Sequence, residues 1–111
     1  MSTATVAVSG VQAAQRAAEL RGVLAASAGA GERVSPVEVE KSATVVVAVI
    51  GLVFSGVGTA KTLWDWWQGR RKDEGGVAVT IQFGDGTSIA LANTNLEQLQ
   101  IVFQQADSQQ H

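Results

Sequence analysis

Cysteine is absent from this sequence, and its only histidine is the last residue, His111. The first absence excludes disulfides, thiolate zinc sites and cysteine nucleophiles. The second excludes a histidine-based catalytic centre and a multi-histidine metal site. No other set of residues forms a recognisable catalytic centre. We therefore expect a protein that is not an enzyme and that has no catalytic residues, no metal and no cofactor.

Charged residues are also few, and they are not concentrated in basic stretches. The chain has 111 residues and a formal net charge of −2, which allows one domain with a modest core. A nucleic-acid-binding protein would show a basic face, so we expect no nucleic-acid partner. The first thirty residues have neither a basic start nor a continuous apolar block. We therefore expect no secretory signal.

The most prominent feature is the run from Ser42 to Ala60, which contains no charged residue. A helix of this length is about what is needed to cross the hydrocarbon core of a bilayer. The residues that follow are typical of the cytoplasmic end of a membrane span. These interface anchors are Trp64, Trp66, Trp67, Arg70, Arg71 and Lys72. The three tryptophans could instead lie in the core of a soluble fold or contact a partner protein. The pattern predicts one long apolar helix over residues 42–71.

The predicted helix has one bulky side and one side of small residues. The small side, read at helical spacing, predicts a helix-packing face. Its residues are Gly51, Ser55, Gly58, Thr59 and Thr62. Such a face would meet a second helix in a membrane, or a sheet or helix within a water-soluble fold.

The other segments predict short strands and helices, which makes the fold class α+β. Residues 1–40 read as strand, helix and strand, and Pro36 places the second strand at an edge of the sheet. Residues 77–106 read as a β-hairpin and a helix. The hairpin turns at GDG, and Thr94 with Glu97 fits a capping box at the start of the helix. The sequence thus predicts three segments: 1–40, 42–71 and 77–106.

Several residues that could carry chemistry have plainer structural explanations. Asp85 lies in the GDG turn, where Asp and Gly are favoured for their backbone geometry. Glu38 and Glu40 share one face of a predicted strand, and we interpret that face as solvated. Asp65 follows Lys61 by four residues and lies near the predicted membrane interface, so we expect a carboxylate that is hydrated or paired with Lys61.

Three stretches carry a resemblance to a known family: residues 18–24 (AELRGVL), 63–72 (LWDWWQGRRK) and 77–91 (VAVTIQFGDGTSIAL). In their order along nearly the whole chain, they resemble the effector-associated constant component domains of bacterial conflict systems. The resemblance implies a small non-catalytic component that works beside proteases, caspase-like effectors or signalling NTPases. It transfers no functional residue.

The leading hypothesis is a non-catalytic adaptor of a bacterial defence system, recruiting or regulating a protease-like effector or a signalling NTPase. The apolar helix would hold it in the inner membrane, with the C-terminal module in the cytoplasm. One alternative is a soluble, cytoplasmic α+β interaction domain. Another is a membrane-permeabilising effector activated by proteolysis. Partners therefore include a protein, a membrane and further copies of the same chain.

Overall fold

The chain folds as an α+β domain with one antiparallel sheet and helices packed on one side of it. The computed structural model describes residues 2–10, 12–41, 46–70 and 78–108. In these residues it contains six strands and three α-helices. The elements in chain order are β1 (Ser2–Ser9), α1 (Ala13–Ser27), β2 (Arg33–Val34), β3 (Glu38–Lys41), β4 (Val46–Phe54), α2 (Gly58–Arg70), β5 (Ala78–Phe83), β6 (Ser88–Ala90) and α3 (Leu96–Ser108), with a short 3₁₀ turn at Leu91–Asn93.

The sheet is built around β1 and β4, which pair along their full length from Ser2 opposite Phe54 to Ser9 opposite Val47. The strand order is β2-β4-β1-β5-β6, and β3 pairs with β4 beside β2. All pairs are antiparallel. The strands β2 and β3 therefore share one edge of the sheet, and β6 forms the other.

The prediction of a long apolar helix over residues 42–71 is wrong. Its apolar part is the strand β4, and only the part from Gly58 to Arg70 is helical. Residues 42–45 and 71 lie outside the described residues. Among the helices described, none has the length and apolar character required to span a membrane.

The composition of the apolar run explains why it forms a strand. Residues 46–50 (VVAVI) are mostly β-branched, and such side chains are favoured on a pleated surface. Every second residue of β4 is buried, while the residues between are only partly exposed. The polar alternation that usually identifies a strand is therefore missing. A short apolar run of this kind also matches a helical stripe.

The loop between β4 and α2 is held by hydrogen bonds to two carboxylates that are distant from it in the sequence. Gly56 has a positive φ of 73°, which ends the strand where a residue with a side chain would be strained. The N–H of Ser55 donates to Glu32 at 2.9 Å, and the N–H of Gly56 donates to Asp107 at 3.1 Å. These bonds tie the loop to residues from two other parts of the chain.

The core lies between the sheet and the helices. Helix α1 buries its alanine and leucine side against β1 and β4, and α2 contacts both α1 and α3. At the end of the sheet, Phe54, Phe83 and Phe103 form a cluster whose ring centroids are 4.8–6.2 Å apart. Trp66 and Trp67 are buried in the same core. The tryptophans predicted as membrane anchors therefore include two core residues.

The structure confirms the predicted hairpin, as β5 and β6, and the C-terminal helix α3, with one change at the cap. The N–H of Gln98 donates to Asn95 Oδ1 at 2.8 Å, so Asn95 caps α3 in place of the predicted Thr94.

The predicted Lys61–Asp65 pair is present at 3.0 Å and largely exposed. Asp85 has the predicted turn role, because its Oδ1 accepts the N–H of Thr87 at 2.8 Å.

We predict that Phe103→Ala lowers the free energy of unfolding by about 3–5 kcal/mol, because it empties the centre of the aromatic cluster. Ile101→Ala on the same helix is the matched control, since Ile101 is 41% exposed. The control should cost less than about 1 kcal/mol. Urea unfolding of both variants measures the difference. Equal losses would contradict the placement of α3 on the sheet.

The hairpin turn generates a prediction about Asp85. The backbone N–H of Thr87 holds the pKa of Asp85 below its ordinary value of 3.8. A lowered pKa favours the folded state above the unfolded pKa, and this contribution disappears as the pH falls through the folded pKa. An NMR titration of the carboxyl carbons should place the midpoint of Asp85 below 3.8. A midpoint at or above that value would show that the hydrogen bond to Thr87 is not made in solution.

Candidate interaction surface

Among the described residues, no helix packs on the side of the sheet opposite α1, α2 and α3. This side forms the candidate site, and we call it the helix-free face. Its residues are those that alternate with the buried ones along the three central strands. They are Thr3, Thr5, Ala7 and Ser9 from β1, Val47, Val49, Gly51 and Val53 from β4, and Ala78, Thr80 and Gln82 from β5.

The described residues of the helix-free face include few charged and few large side chains. Its β4 row of Val47, Val49 and Val53 is partly exposed. The threonines on β1 and β5 are exposed, and they add methyl groups beside hydroxyls. A sheet with one face on its core usually carries clearly polar residues on its other face. Valine and alanine at these positions indicate a surface suited to contact with another protein.

Charge enters the helix-free face only at the edge formed by β2 and β3, among the residues described. Arg33 lies opposite Val53 at one end of this edge. Glu38 and Glu40 lie opposite Val49 and Val47 at the other end. Directly opposed residues in antiparallel strands point to the same side of a sheet. The edge therefore has a positive end and a negative end, and all three charged residues are exposed.

A β-bulge is the reason why these charges share one face. Ser35 pairs with Gly51 through its N–H, and Glu38 lies opposite Val49. From Ser35 to Glu38 the edge advances by three residues, whereas β4 advances by two, from Gly51 to Val49. The extra residue lies at Pro36 and Val37. Proline has no N–H to lose from the ladder, which suits it to a bulge at an edge. The bulge reverses the alternation after Ser35, so Val37 packs on the core.

Ser35 and Gly51 form the local contact that fixes the bulge. The N–H of Ser35 donates to the carbonyl oxygen of Gly51 at 2.9 Å. The N–H of Gly51 donates to Ser35 Oγ at 2.7 Å, so a hydroxyl takes the place of a backbone carbonyl. The carbonyl of Ser35 is then available to Arg21 on α1, whose Nε donates to it at 3.0 Å. A Cβ on Gly51 would lie 3.1 Å from Ser35 Oγ, which explains the glycine.

The absence of a side chain at Gly51 leaves a shallow pocket in the helix-free face. Its volume is about 450 Å³, and its lining includes Thr3, Thr5, Arg33, Ser35, Gly51 and Val53. Val49 stands beside this pocket, two residues along the same strand. The face thus has a depression and a ridge next to each other.

The structure separates the residues predicted as a helix-packing face. Gly51 lies on β4, Ser55 lies in the following loop, and Gly58, Thr59 and Thr62 lie in the first turns of α2. They do not form one stripe, because side chains in a strand repeat every two residues and those in a helix every 3.6.

The predicted interface anchors also have separate locations. Trp66 and Trp67 are buried in the core, and Trp64 is half-buried on α2. Arg70 is the last residue of α2. Arg71 and Lys72 lie outside the described residues.

Sequence reasoning missed most of the helix-free face. Glu38 and Glu40 were predicted to share a solvated strand face, and both are exposed on one face. The residues on β4 belong to the segment predicted as a helix, although its run of valines with Ile50 is a signal for a strand. Within the described part of the chain, no group of three or more His, Cys, Asp or Glu residues is placed to hold a metal ion.

Searches with protein-family models, against curated proteins and against solved structures found no match to this chain.

The contact between Ser35 and Gly51 generates a prediction for a double-mutant cycle. Gly51→Ala should lower the free energy of unfolding by about 1–2 kcal/mol, because the new methyl group meets Ser35 Oγ. In the Ser35→Ala background the nearest atom is the Cβ at 3.6 Å, an ordinary contact. The same Gly51→Ala change should then cost less, with a coupling of about 1 kcal/mol. Chemical unfolding of the four proteins measures it, and additive losses would contradict the described bulge.

Proposed function

We propose that this chain is a non-catalytic adaptor domain that binds protein partners, a second copy of itself included, through the helix-free face of its sheet. The observation that carries the proposal is the row of partly exposed valines on β4, flanked by small and hydroxyl-bearing residues on β1. Removal of such a surface from water is favourable, at about 25 cal/mol per Å² of apolar area. The charges at the β2/β3 edge supply the polar rim that protein interfaces commonly have.

The biological setting of the proposal comes from the family resemblance. It supports an accessory component of a bacterial defence or conflict system, with a protease-like effector or a signalling NTPase in the same system. The proposed function includes neither a membrane anchor nor a permeabilising activity, because both depend on the long apolar helix predicted over residues 42–71. That segment is divided between β4 and α2.

A photo-crosslinking amino acid at Thr5, in cells of the source organism, tests the proposal. Thr5 is exposed at the centre of the helix-free face. We expect adducts with a second copy of the chain, a protease-like effector or an NTPase, identified by mass spectrometry. The matched control is the same amino acid at Val23, which is 41% exposed on α1. Adducts of equal yield at the two positions, or none at Thr5, would contradict the proposed binding surface.

A further inference from the structure

We infer that the helix-free face binds a second copy of this chain, so that two sheets stack face to face around a twofold axis. The inference rests on the proposed function and identifies the partner of the helix-free face as a second copy of the same chain. Three features of the face carry it: the position of the strand midpoints, the neighbouring pocket and ridge, and the opposite charges at the two ends of one edge.

The strand midpoints define where the axis would run. Ile50 is the middle residue of β4, and it lies opposite Val6 near the middle of β1. Val6 lies opposite Ile81 of β5, which lies opposite Ile89, the middle residue of β6. The bulge on the β2/β3 edge lies at the same level. A twofold axis between the sheets, crossing the strands at this level, therefore places every strand over its own copy in the reverse direction.

The same axis brings complementary shapes together. It places the residue after Ile50 over the residue before Ile50 of the other subunit. Gly51 therefore faces Val49 of the partner subunit. The partner's valine then meets the pocket at Gly51, whose lining residues come from both neighbouring strands. On β1, Thr5 faces the small side chain of Ala7 of the partner subunit in the same way. Close packing of ridges into depressions is what a stable interface requires.

The charges at the edge are complementary under the same operation. The twofold axis places the residue paired with Val53 in one subunit over the residue paired with Val47 in the other. Arg33 therefore faces Glu40 of the partner subunit, with Glu38 of the partner subunit one row away. The contact occurs twice, because a twofold interface repeats every pair. Without the bulge, Arg33 would share a face with neither glutamate.

The size of the face sets the expected strength. The three central strands together with the two edges occupy five strand positions. At a spacing of about 4.8 Å and a mean strand length of about 20 Å, they give a footprint of roughly 500 Å² on each copy. The two copies would bury on the order of 1,000 Å², the low end for specific interfaces. Interfaces at this end of the range are typical of weak, transient association, so we expect a reversible dimer with a dissociation constant on the order of micromolar or weaker. Two stacked sheets with strands within about 30° of each other are a common packing, so the arrangement needs no unusual geometry.

Sedimentation of charge-reversed variants of the purified chain tests the inference. Three charged residues of the edge lie on the helix-free face. In Arg33→Glu all three are negative, and in Glu38→Arg/Glu40→Arg all three are positive. Each variant alone should dimerise at least about tenfold more weakly than the original chain, because both copies of the contact become repulsive. An equimolar mixture of the two should recover dimers that contain one of each. The triple variant should recover dimers by itself.

The controls separate this inference from the proposed function. Circular dichroism of each variant checks that the exposed changes leave the fold intact. A chain that stays monomeric up to about 1 mM would overturn the inference, as would a dimer that neither reversal weakens. If that monomeric chain still forms adducts from Thr5 with an effector or an NTPase, the proposed function stands with a different partner. A chain that stays monomeric and also forms no adducts from Thr5 would contradict both the inference and the proposed function.

Discussion

Strand β4 is the constraint on which the rest of the structure depends. Its backbone pairs with β1 along one side and with β2 and β3 along the other. Its alternate residues supply the core on one face and the valine row on the other. Because the side-chain period of a strand is two, a shift of register by one residue would exchange these faces. The pairing of Ile50 with Val6 therefore fixes both the core and the candidate interaction surface.

The bulge at Pro36 and Val37 connects that backbone register to the chemistry of the surface. It turns Val37 toward the core and places the two glutamates on the same side as Arg33. The hydroxyl of Ser35 keeps the N–H of Gly51 satisfied where the ladder is interrupted. The same glycine opens the pocket beside Val49. One extra residue in the edge strand thus places the three charges on one face. The contact between Ser35 and Gly51, which accommodates the bulge, leaves the pocket at Gly51.

Local signals were sufficient to predict the two ends of the chain. The alternation in β1, the GDG turn and the amphipathic pattern of α3 each lie within a few residues, and the structure confirms them. The middle of the chain could not be predicted in this way. The spacing of the valine-rich run fits a helical stripe as well as a strand. Its β-branched residues favour the strand, and its pairing with β1 and β2 decides between the two. The surface was missed for the same reason, since it exists only when several strands lie side by side.

A dilution series followed by two-dimensional NMR tests the helix-free face most directly. Amide signals are recorded between about 10 μM and 1 mM, a range that spans the affinity expected from the interface size. We expect concentration-dependent shifts at Thr5, Ala7, Val49 and Gly51, with unchanged signals from the outer sides of α1 and α3. Shifts confined to the helices, or no shifts across the whole range, would contradict a face that pairs with its own copy.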